Sequence, residues 1–246
     1  MCNYCLLFMK TCPNCHYKYT ETYQFCPSCG QKSAIHRINM SFLMHEVIHA
    51  FTHADTGIFH LVKELAIRPG EVVKEYIAGH RKKYYNPFNF FLITVTLSAF
   101  LTAYFHLFDI DLKSPNPVAD MTTKRVNWIF VASVPIQSFF TWILFKKKKY
   151  NFAENIVFHC FLGGFRFIFF LLIFTVFVDL FRGYYYYILY TYLSLYLIYV
   201  MWAAKQFFEE SLGWTILKVI VSFILNQVII TSVITFIYYA FLRKPH

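Results

Sequence analysis

Charged residues are scarce in this chain of 246 residues, and the acidic ones are fewest, with 13 Asp and Glu against 23 Lys and Arg. Charged residues make up 15% of the chain, whereas 58% is hydrophobic and the mean hydropathy is +0.45. A soluble domain averages about 25% charged residues, so this chain cannot form a solvated surface along its whole length. The composition therefore excludes an ordinary soluble protein and favours a membrane protein.

Motifs that bind nucleotides are also missing. The chain has only eight glycines, and none of them form a phosphate-binding loop or a dinucleotide fingerprint. No Ser, His and Asp occur in an order that is typical of a serine hydrolase. These absences leave no organic cofactor to predict.

Cysteine is concentrated at the start of the chain, where six of the seven cysteines lie in the first 29 residues. Four of them form two Cys-x-x-Cys pairs, Cys12 with Cys15 and Cys26 with Cys29. Four thiolates at this spacing predict one structural zinc ion in a ribbon over residues 10–33, the alternatives being a redox dithiol or free thiols. The residues between the pairs predict a short hairpin, and Gly30 offers the open backbone angle that the second turn favours.

The cysteine pairs also bear on location, because zinc binding requires reduced thiols and so favours a head that faces the cytoplasm. Met9 followed by Lys10 resembles a natural start, and we expect the residues before it, Met1 to Phe8, to be an over-extension of the true N-terminus.

Long apolar segments occupy residues 88–246 and predict an all-α polytopic membrane domain of about five transmembrane helices. The expected spans are 88–108, 126–145, 156–180, 184–204 and 215–242. Basic clusters at Arg81–Lys83 and Lys146–Lys149 then share one side, which the positive-inside rule assigns to the cytoplasm. The net charge of +10 is therefore explained by membrane flanks in a cell membrane, and nucleic-acid binding is not favoured.

Residues 34–87, between the ribbon and the first span, predict amphipathic helices at the membrane surface. This region carries His45-Glu46-Val47-Ile48-His49, which matches the His-Glu-x-x-His pattern of zinc peptidases. His45 and His49 share a helix face, Glu46 would be the general base, and His53 lies one turn further on. The pattern supports a metallopeptidase, a non-catalytic second metal site, or a polar histidine face on an interfacial helix.

The boundary before the first span is dense in turn and basic residues, beginning with Arg68-Pro69-Gly70 and continuing through Gly79 to Pro87. It supports either a site for a phosphate or lipid headgroup, or a structural turn with Pro69 at the start of a helix. We favour the structural interpretation.

The third expected span contains His159 and Arg166, which are costly at membrane depth. They indicate either a polar transport or substrate pathway, or a buried structural network in which Arg166 has a partner on another helix.

The assembled motifs resemble a bacterial family of uncharacterised integral membrane proteins that is defined only as a domain of unknown function. The resemblance rests on both cysteine pairs with Gln31, on the run from His45 to Asp55, on Arg68-Pro69-Gly70, on Glu75 to Pro87 and on Phe152 to Phe158. It implies a zinc-ribbon head and several spans, and it brings no known activity or partner.

Three functions remain open from the sequence. The leading hypothesis is a non-enzymatic membrane protein whose cytoplasmic head docks a protein partner or supports the helix bundle. The second is a transporter or lipid-handling protein that uses His159 and Arg166, and the third is a membrane metallopeptidase that uses His45, Glu46 and His49. The lipid bilayer is the one partner common to all three.

Overall fold

A computed structural model describes residues 9–34, 37–41, 43–44, 57–104, 126–170, 174 and 176–242. The elements follow in the order β1 Met9–Thr11, β2 Lys18–Thr20, α1 Ile58–Ile67, α2 Pro69–Ala78, α3 Pro87–Tyr104, α4 Val126–Leu144, α5 Phe152–Phe169, α6 Val176–Leu180, α7 Tyr185–Phe208 and α8 Leu212–Ile237. A turn of 3-10 helix at Arg182–Tyr184 precedes α7, and a π-helical turn at Tyr238–Leu242 follows α8.

The ribbon is a two-stranded antiparallel sheet in which Met9 pairs with Thr20 and Thr11 pairs with Lys18. The first cysteine pair therefore forms the turn of this hairpin, whereas the sequence predicted a hairpin between the two pairs. A single bridge between Phe25 and Lys32 flanks the second pair in the same way. Each pair of cysteines thus lies at the tip of its own short loop.

The second of the two helices before the membrane domain, α2, begins and ends at residues that favour those positions. Pro69 occupies the first turn of α2, where its missing N–H costs nothing. Gly79 ends α2 in the left-handed conformation with φ +114°, which a residue with a side chain rarely adopts. The buried faces are Leu61 and Leu65 in α1, and Val72, Val73 and Tyr76 in α2.

Four helices are long and apolar enough to cross a bilayer: α3, α5, α7, and α8 with its extension to Ala240. The segment expected at 126–145 forms α4, in which Trp128–Leu144 is a shorter apolar helix. Of the segment expected at 156–180, the structure describes α5 to Phe169, π-helical backbone at Phe170 and Phe174, and α6 from Val176 to Leu180. The predicted class, a helical membrane protein with a small N-terminal zinc ribbon, is confirmed.

The apolar surface of the outer helices fits a lipid environment. Large hydrophobic side chains are exposed along α7 and α8, and only 17% of an 18-residue apolar stretch of α8 is buried inside the protein. Contiguous exposed apolar surface of this kind marks a membrane-facing region. The chain is a multi-pass membrane protein.

Closely stacked aromatic rings lie at one end of the bundle, where the loop after α4 meets the last residues of α7. Phe145 stacks on Phe208 with ring centroids 3.9 Å apart, and Tyr150 stacks on Phe207 at 4.1 Å. Lys148 also donates to the carbonyl of Glu209 at 3.2 Å. We call this the ribbon end of the bundle, because α2 and the zinc ribbon contact the same region.

Glycines allow two close approaches in this core. At Gly163 and Gly164, a Cβ atom would lie 2.9 Å from the ring of Phe91 and 2.5 Å from the ring of Phe90, so α5 packs directly against α3. The close helix approach is the one that adjacent glycines permit in membrane proteins. The second close approach is at Gly70, where α2 contacts α7.

Candidate functional site

The two cysteine loops have the same backbone. The amide of Cys12 donates to the carbonyl of Tyr17 at 2.9 Å, and the amide of Cys26 donates to the carbonyl of Gln31 at 2.7 Å. In both loops, the residue directly after the second cysteine has a positive φ, 70° at Gly30 and 60° at His16. The prediction for Gly30 is confirmed, whereas composition gives no signal that His16 adopts the equivalent conformation.

The four sulfur atoms lie within 4.8 Å of one another. The Sγ atoms of Cys12 and Cys29 are 3.6 Å apart, and those of Cys15 and Cys26 are 3.5 Å apart. A tetrahedron with Zn–S bonds of about 2.3 Å has sulfur atoms about 3.8 Å apart, so the observed arrangement fits one zinc ion. Four protein ligands leave no open position for a substrate, and the site is structural.

The surroundings shift the pKa values of the Cys12 and Cys29 thiols in opposite directions. Burial raises the pKa of the Cys12 thiol to about 11. Burial also opposes ionisation of Cys29, but hydrogen bonds from the Asn14 side chain and the Gln31 backbone outweigh it, and the pKa falls to about 6. Zinc binds thiolates, so its binding releases the proton that Cys12 otherwise retains at neutral pH.

The second predicted metal site lies outside the described residues, since His45, Glu46, His49 and His53 all fall in the range 45–56. Among the residues that the structure describes, the four cysteines form the only cluster of metal-ligating side chains. The acids Glu71 and Glu75 of α2 are engaged in ion pairs with Lys74 and Arg68.

The boundary motif forms a network of charges around Arg68. Its guanidinium donates to Glu64 at 2.6 Å, to Glu75 at 2.5 Å and to the hydroxyl of Tyr84 at 3.0 Å. Glu75 also accepts from Lys83 at 2.6 Å and from Tyr84 at 2.7 Å. We call these five residues the Arg68 network.

The start of α2 is also occupied by a protein group. The amide of Gly70 donates to the side-chain oxygen of Gln206 at 2.9 Å. An anion at this helix start would have to displace Gln206, so the motif is better explained as a structural joint than as a phosphate site.

The Arg68 network makes stability depend on pH. Burial opposes ionisation of Glu75, but hydrogen bonds from Lys83, Tyr84 and Arg68 outweigh it and lower its pKa from 4.5 to about 2. A depressed folded-state pKa stabilises the protein above the unfolded value, and this contribution is lost as the pH falls from about 4.5 to about 2.

We predict that Glu75→Gln lowers the free energy of unfolding at pH 7 by about 1–3 kcal/mol, because the donors of Arg68 and Lys83 lose an anionic acceptor. The difference from the unmodified protein should shrink between pH 5 and pH 3, as thermal unfolding in neutral detergent would show. Glu21→Gln, at an exposed site on the ribbon, is the matched control and should be neutral. If the difference in stability between Glu75→Gln and the unmodified protein were the same at pH 5 and at pH 3, it would contradict the lowered pKa of Glu75.

The zinc ribbon is attached to the membrane domain by polar contacts at the end of the second cysteine loop and in the segment that follows it. Gln31, which is 3% exposed, accepts from the amide of Lys82 at 3.2 Å. Arg37 makes two hydrogen bonds of 2.9 Å to the two carboxylate oxygens of Glu154. The side chain of Asn151 donates to the carbonyl of Ile38 at 2.8 Å.

Glu154 combines this contact with a helix cap. The Asn151 side chain accepts from the Glu154 amide at 2.9 Å, and the Glu154 carboxylate accepts from the Asn151 amide at 2.7 Å, which is a capping box. The Glu154 side chain is 3% exposed. A buried carboxylate at the start of a membrane helix is thus neutralised by an arginine that directly follows the ribbon.

The two predicted intramembrane residues line one cavity but do not contact each other in the described structure. His159 is hydrogen-bonded to the hydroxyl of Thr141 at 3.0 Å. Arg166 donates to the hydroxyl of Tyr192 at 3.1 Å and lies 3.5 Å from the centroid of the Phe130 ring. The structural alternative from the sequence requires a partner for Arg166 on another helix, and the structure gives it the hydroxyl of Tyr192 in α7 and the ring of Phe130 in α4.

Family models match two segments of the chain. Residues 11–33 match a zinc-ribbon domain, and residues 55–99 match a family described as a protein of unknown function, DUF3667. No curated protein and no solved structure matches the chain. The resemblance to a family of unknown function with an N-terminal zinc ribbon is confirmed, and neither match brings a specific activity.

Proposed function

We propose that this chain is a non-enzymatic protein of the cytoplasmic membrane, in which a cytoplasmic zinc ribbon holds the entry to the helix bundle in place. The observation that carries the proposal is the paired hydrogen bonding between Arg37 and Glu154. It joins Arg37, four positions beyond the ribbon, to the first turn of α5. Without Arg37, the buried carboxylate of Glu154 would lose its cation and keep the backbone amide of Asn151 as a donor.

The cytoplasmic orientation is supported by the position of the basic residues. Lys82 contacts the ribbon through Gln31, and Lys148 contacts Glu209 at the same end of the bundle. Both lysines belong to the clusters that the positive-inside rule assigns to the cytoplasm. Reduced thiols, which the zinc ion needs, are also maintained there.

The proposal predicts energetic coupling between the ribbon and the bundle. Cys12→Ser and Arg37→Ala should each lower the unfolding temperature of the helices, and the double variant should lower it by less than the sum. Residues that act through one contact show coupling of about 0.5–3 kcal/mol. Circular dichroism of the full chain in detergent, with zinc measured in parallel, gives the unfolding temperatures of the four proteins in this double-mutant cycle.

Lys18→Ala is the control for Arg37→Ala, because Lys18 is an exposed basic residue on the ribbon itself. Its effect should be small and should add to that of Cys12→Ser. Additive effects for Arg37→Ala would contradict a supporting role and would favour a head that only docks a cytoplasmic partner. The metallopeptidase hypothesis gains no support from the described residues, since its residues lie outside them.

A further inference from the structure

The membrane domain contains a cavity of about 370 Å³ between α3, α4, α5, α7 and α8. Its volume falls within the range of about 300–1,000 Å³ that is usual for small-molecule sites. Most of its wall is apolar, with Phe130, Val134, Phe167, Leu197, Ile220 and Phe223 among the lining residues. The rest of the wall carries polar side chains. A void left only by imperfect packing of apolar helices would not contain them.

Arg166 supplies a positive charge to this cavity. Among the described residues, the ion pairs do not include Arg166; they join Glu64, Glu71, Glu75, Glu154, Glu209 and Glu210 to basic side chains at the ribbon end. The rings of Phe130 and Tyr196 lie 3.5 and 5.0 Å from the guanidinium carbon. Rings attract the charge but accept few of its five N–H donors, so Arg166 retains the capacity to bind an anion.

Two amide oxygens in the cavity wall also lack a partner in the described structure. These are Oε1 of Gln137, a residue that is 6% exposed, and the buried Oδ1 of Asn226. The Gln137 amide nitrogen donates to Ser222 at 2.9 Å, which fixes the side chain and leaves its oxygen as an acceptor. A buried acceptor without a donor costs about 1–3 kcal/mol, and a ligand hydroxyl would remove that cost.

The cation and one of the acceptors lie at the same depth. Arg166 in α5 and Asn226 in α8 are each about 21 Å along the helix from its first residue, at about 1.5 Å per residue. Both helices begin at the ribbon end, so the two side chains face the cavity at one level. Apolar walls extend above and below this level, which is the pattern that an amphiphilic molecule requires.

We propose that this cavity binds an anionic lipid whose headgroup carries hydroxyl groups, with the phosphate at Arg166, a hydroxyl at Asn226 or Gln137, and acyl carbon against the phenylalanine and isoleucine side chains. The site goes beyond the supporting role of the zinc ribbon and does not depend on it. It also makes the second hypothesis from the sequence, lipid handling, specific to one ligand class.

The test is lipid binding by the full chain in neutral detergent, measured by native mass spectrometry at increasing lipid concentration. Phosphatidylglycerol should bind, and phosphatidylcholine, whose phosphate has its own cation and no hydroxyl, should bind roughly tenfold more weakly. Arg166→Gln should remove this preference, and Gln137→Leu should weaken phosphatidylglycerol binding while leaving phosphatidylcholine binding unchanged. Lys147→Gln, which removes an exposed lysine at the ribbon end, is the charge-matched control and should bind as the unmodified protein does.

Ser133→Leu narrows the cavity without changing its charge, so it should weaken binding of phosphatidylglycerol, and it provides a test that does not require Arg166→Gln to fold. Equal binding of the two lipids, undiminished binding in Ser133→Leu, or an equal loss in Lys147→Gln and Arg166→Gln would overturn the proposal. Displacement of the lipid by inorganic phosphate would assign the site to a free anion instead. Cys12→Ser should leave lipid binding intact, which separates this result from the coupling that tests the ribbon.

Discussion

Replacing Cys12 with serine should remove the zinc ion from the chain and unfold residues 9–33, while the membrane helices stay folded. The buried apolar core of the ribbon consists of Cys12, Tyr19 and Cys26, with Cys15 and Cys29 packed against it. Two strands of three residues cannot offset the loss of chain entropy on their own. Structural zinc contributes about 10–16 kcal/mol in comparable small domains, so the loss of one thiolate decides whether the ribbon folds.

Zinc content and hydrogen exchange would measure the two parts of this prediction. The unmodified chain should carry one zinc ion, and Cys12→Ser should carry none. The amides of Cys12 and Cys26, which are hydrogen-bonded in the ribbon, should lose their protection. Cys160→Ser is the matched control, because Cys160 is a buried cysteine in α5 and does not belong to the cluster of four thiols.

The same measurement tests the histidine motif. A zinc ion that persists in Cys12→Ser and disappears in His45→Ala would show a second metal site and would favour the metallopeptidase. A metal-free unmodified chain would contradict the ribbon assignment altogether.

Features that depend on neighbours in the chain could be predicted from the sequence. The spacing of the cysteines brings four sulfur atoms within 4.8 Å of one another, and Gly30 has the positive φ that its turn needs. Pro69 and Gly79 begin and end α2 for equally local reasons. Each of these features requires only a few residues to adopt one backbone conformation.

Contacts between distant residues could not be predicted in the same way. Arg37 and Glu154 are separated by 117 positions, and Gln31 and Lys82 by 51. The spacing from Asn151 to Glu154 is that of a capping box, and this local signal could have identified the start of α5. Nothing local indicates which arginine neutralises the carboxylate, because that depends on how the helices pack.

The third expected span shows a second limit of prediction from the sequence. Hydropathy predicts one helix over 156–180, and within that range the backbone at Phe170 and Phe174, between α5 and α6, is π-helical. Apolar composition does not indicate this local change of helix type. The cavity likewise depends on five helices at once, and the sequence indicated only His159 and Arg166 among its polar residues.

Gly70→Ala should destabilise the protein although alanine is the better helix former. A Cβ atom at this position would lie 2.4 Å from the carbonyl oxygen of Ala203 and 2.7 Å from the amide nitrogen of Phe207. Both are backbone atoms of α7, so the clash cannot be relieved by rotating a side chain, and α2 and α7 must separate. Overpacking typically costs about 1–3 kcal/mol, which exceeds the gain of about 1 kcal/mol from helix propensity.

Separation of the two helices would also lengthen the hydrogen bond from Gly70 to Gln206, now 2.9 Å. Gly70→Leu should therefore be more severe than Gly70→Ala. Thermal unfolding in detergent would show both as lowered midpoints with zinc retained, since the ribbon is not part of this contact.

Gly213→Ala is the matched control, because a Cβ atom at Gly213 meets nothing within 4 Å and lies in the first turn of α8. It should leave the midpoint unchanged or raise it slightly. If Gly70→Ala were as stable as Gly213→Ala, α2 would not be packed on α7 as described, and the glycine of the Arg68-Pro69-Gly70 motif would need an explanation other than close helix contact. The comparison is decisive because the two substitutions add the same methyl group to a helix and differ only in whether another backbone already occupies its place.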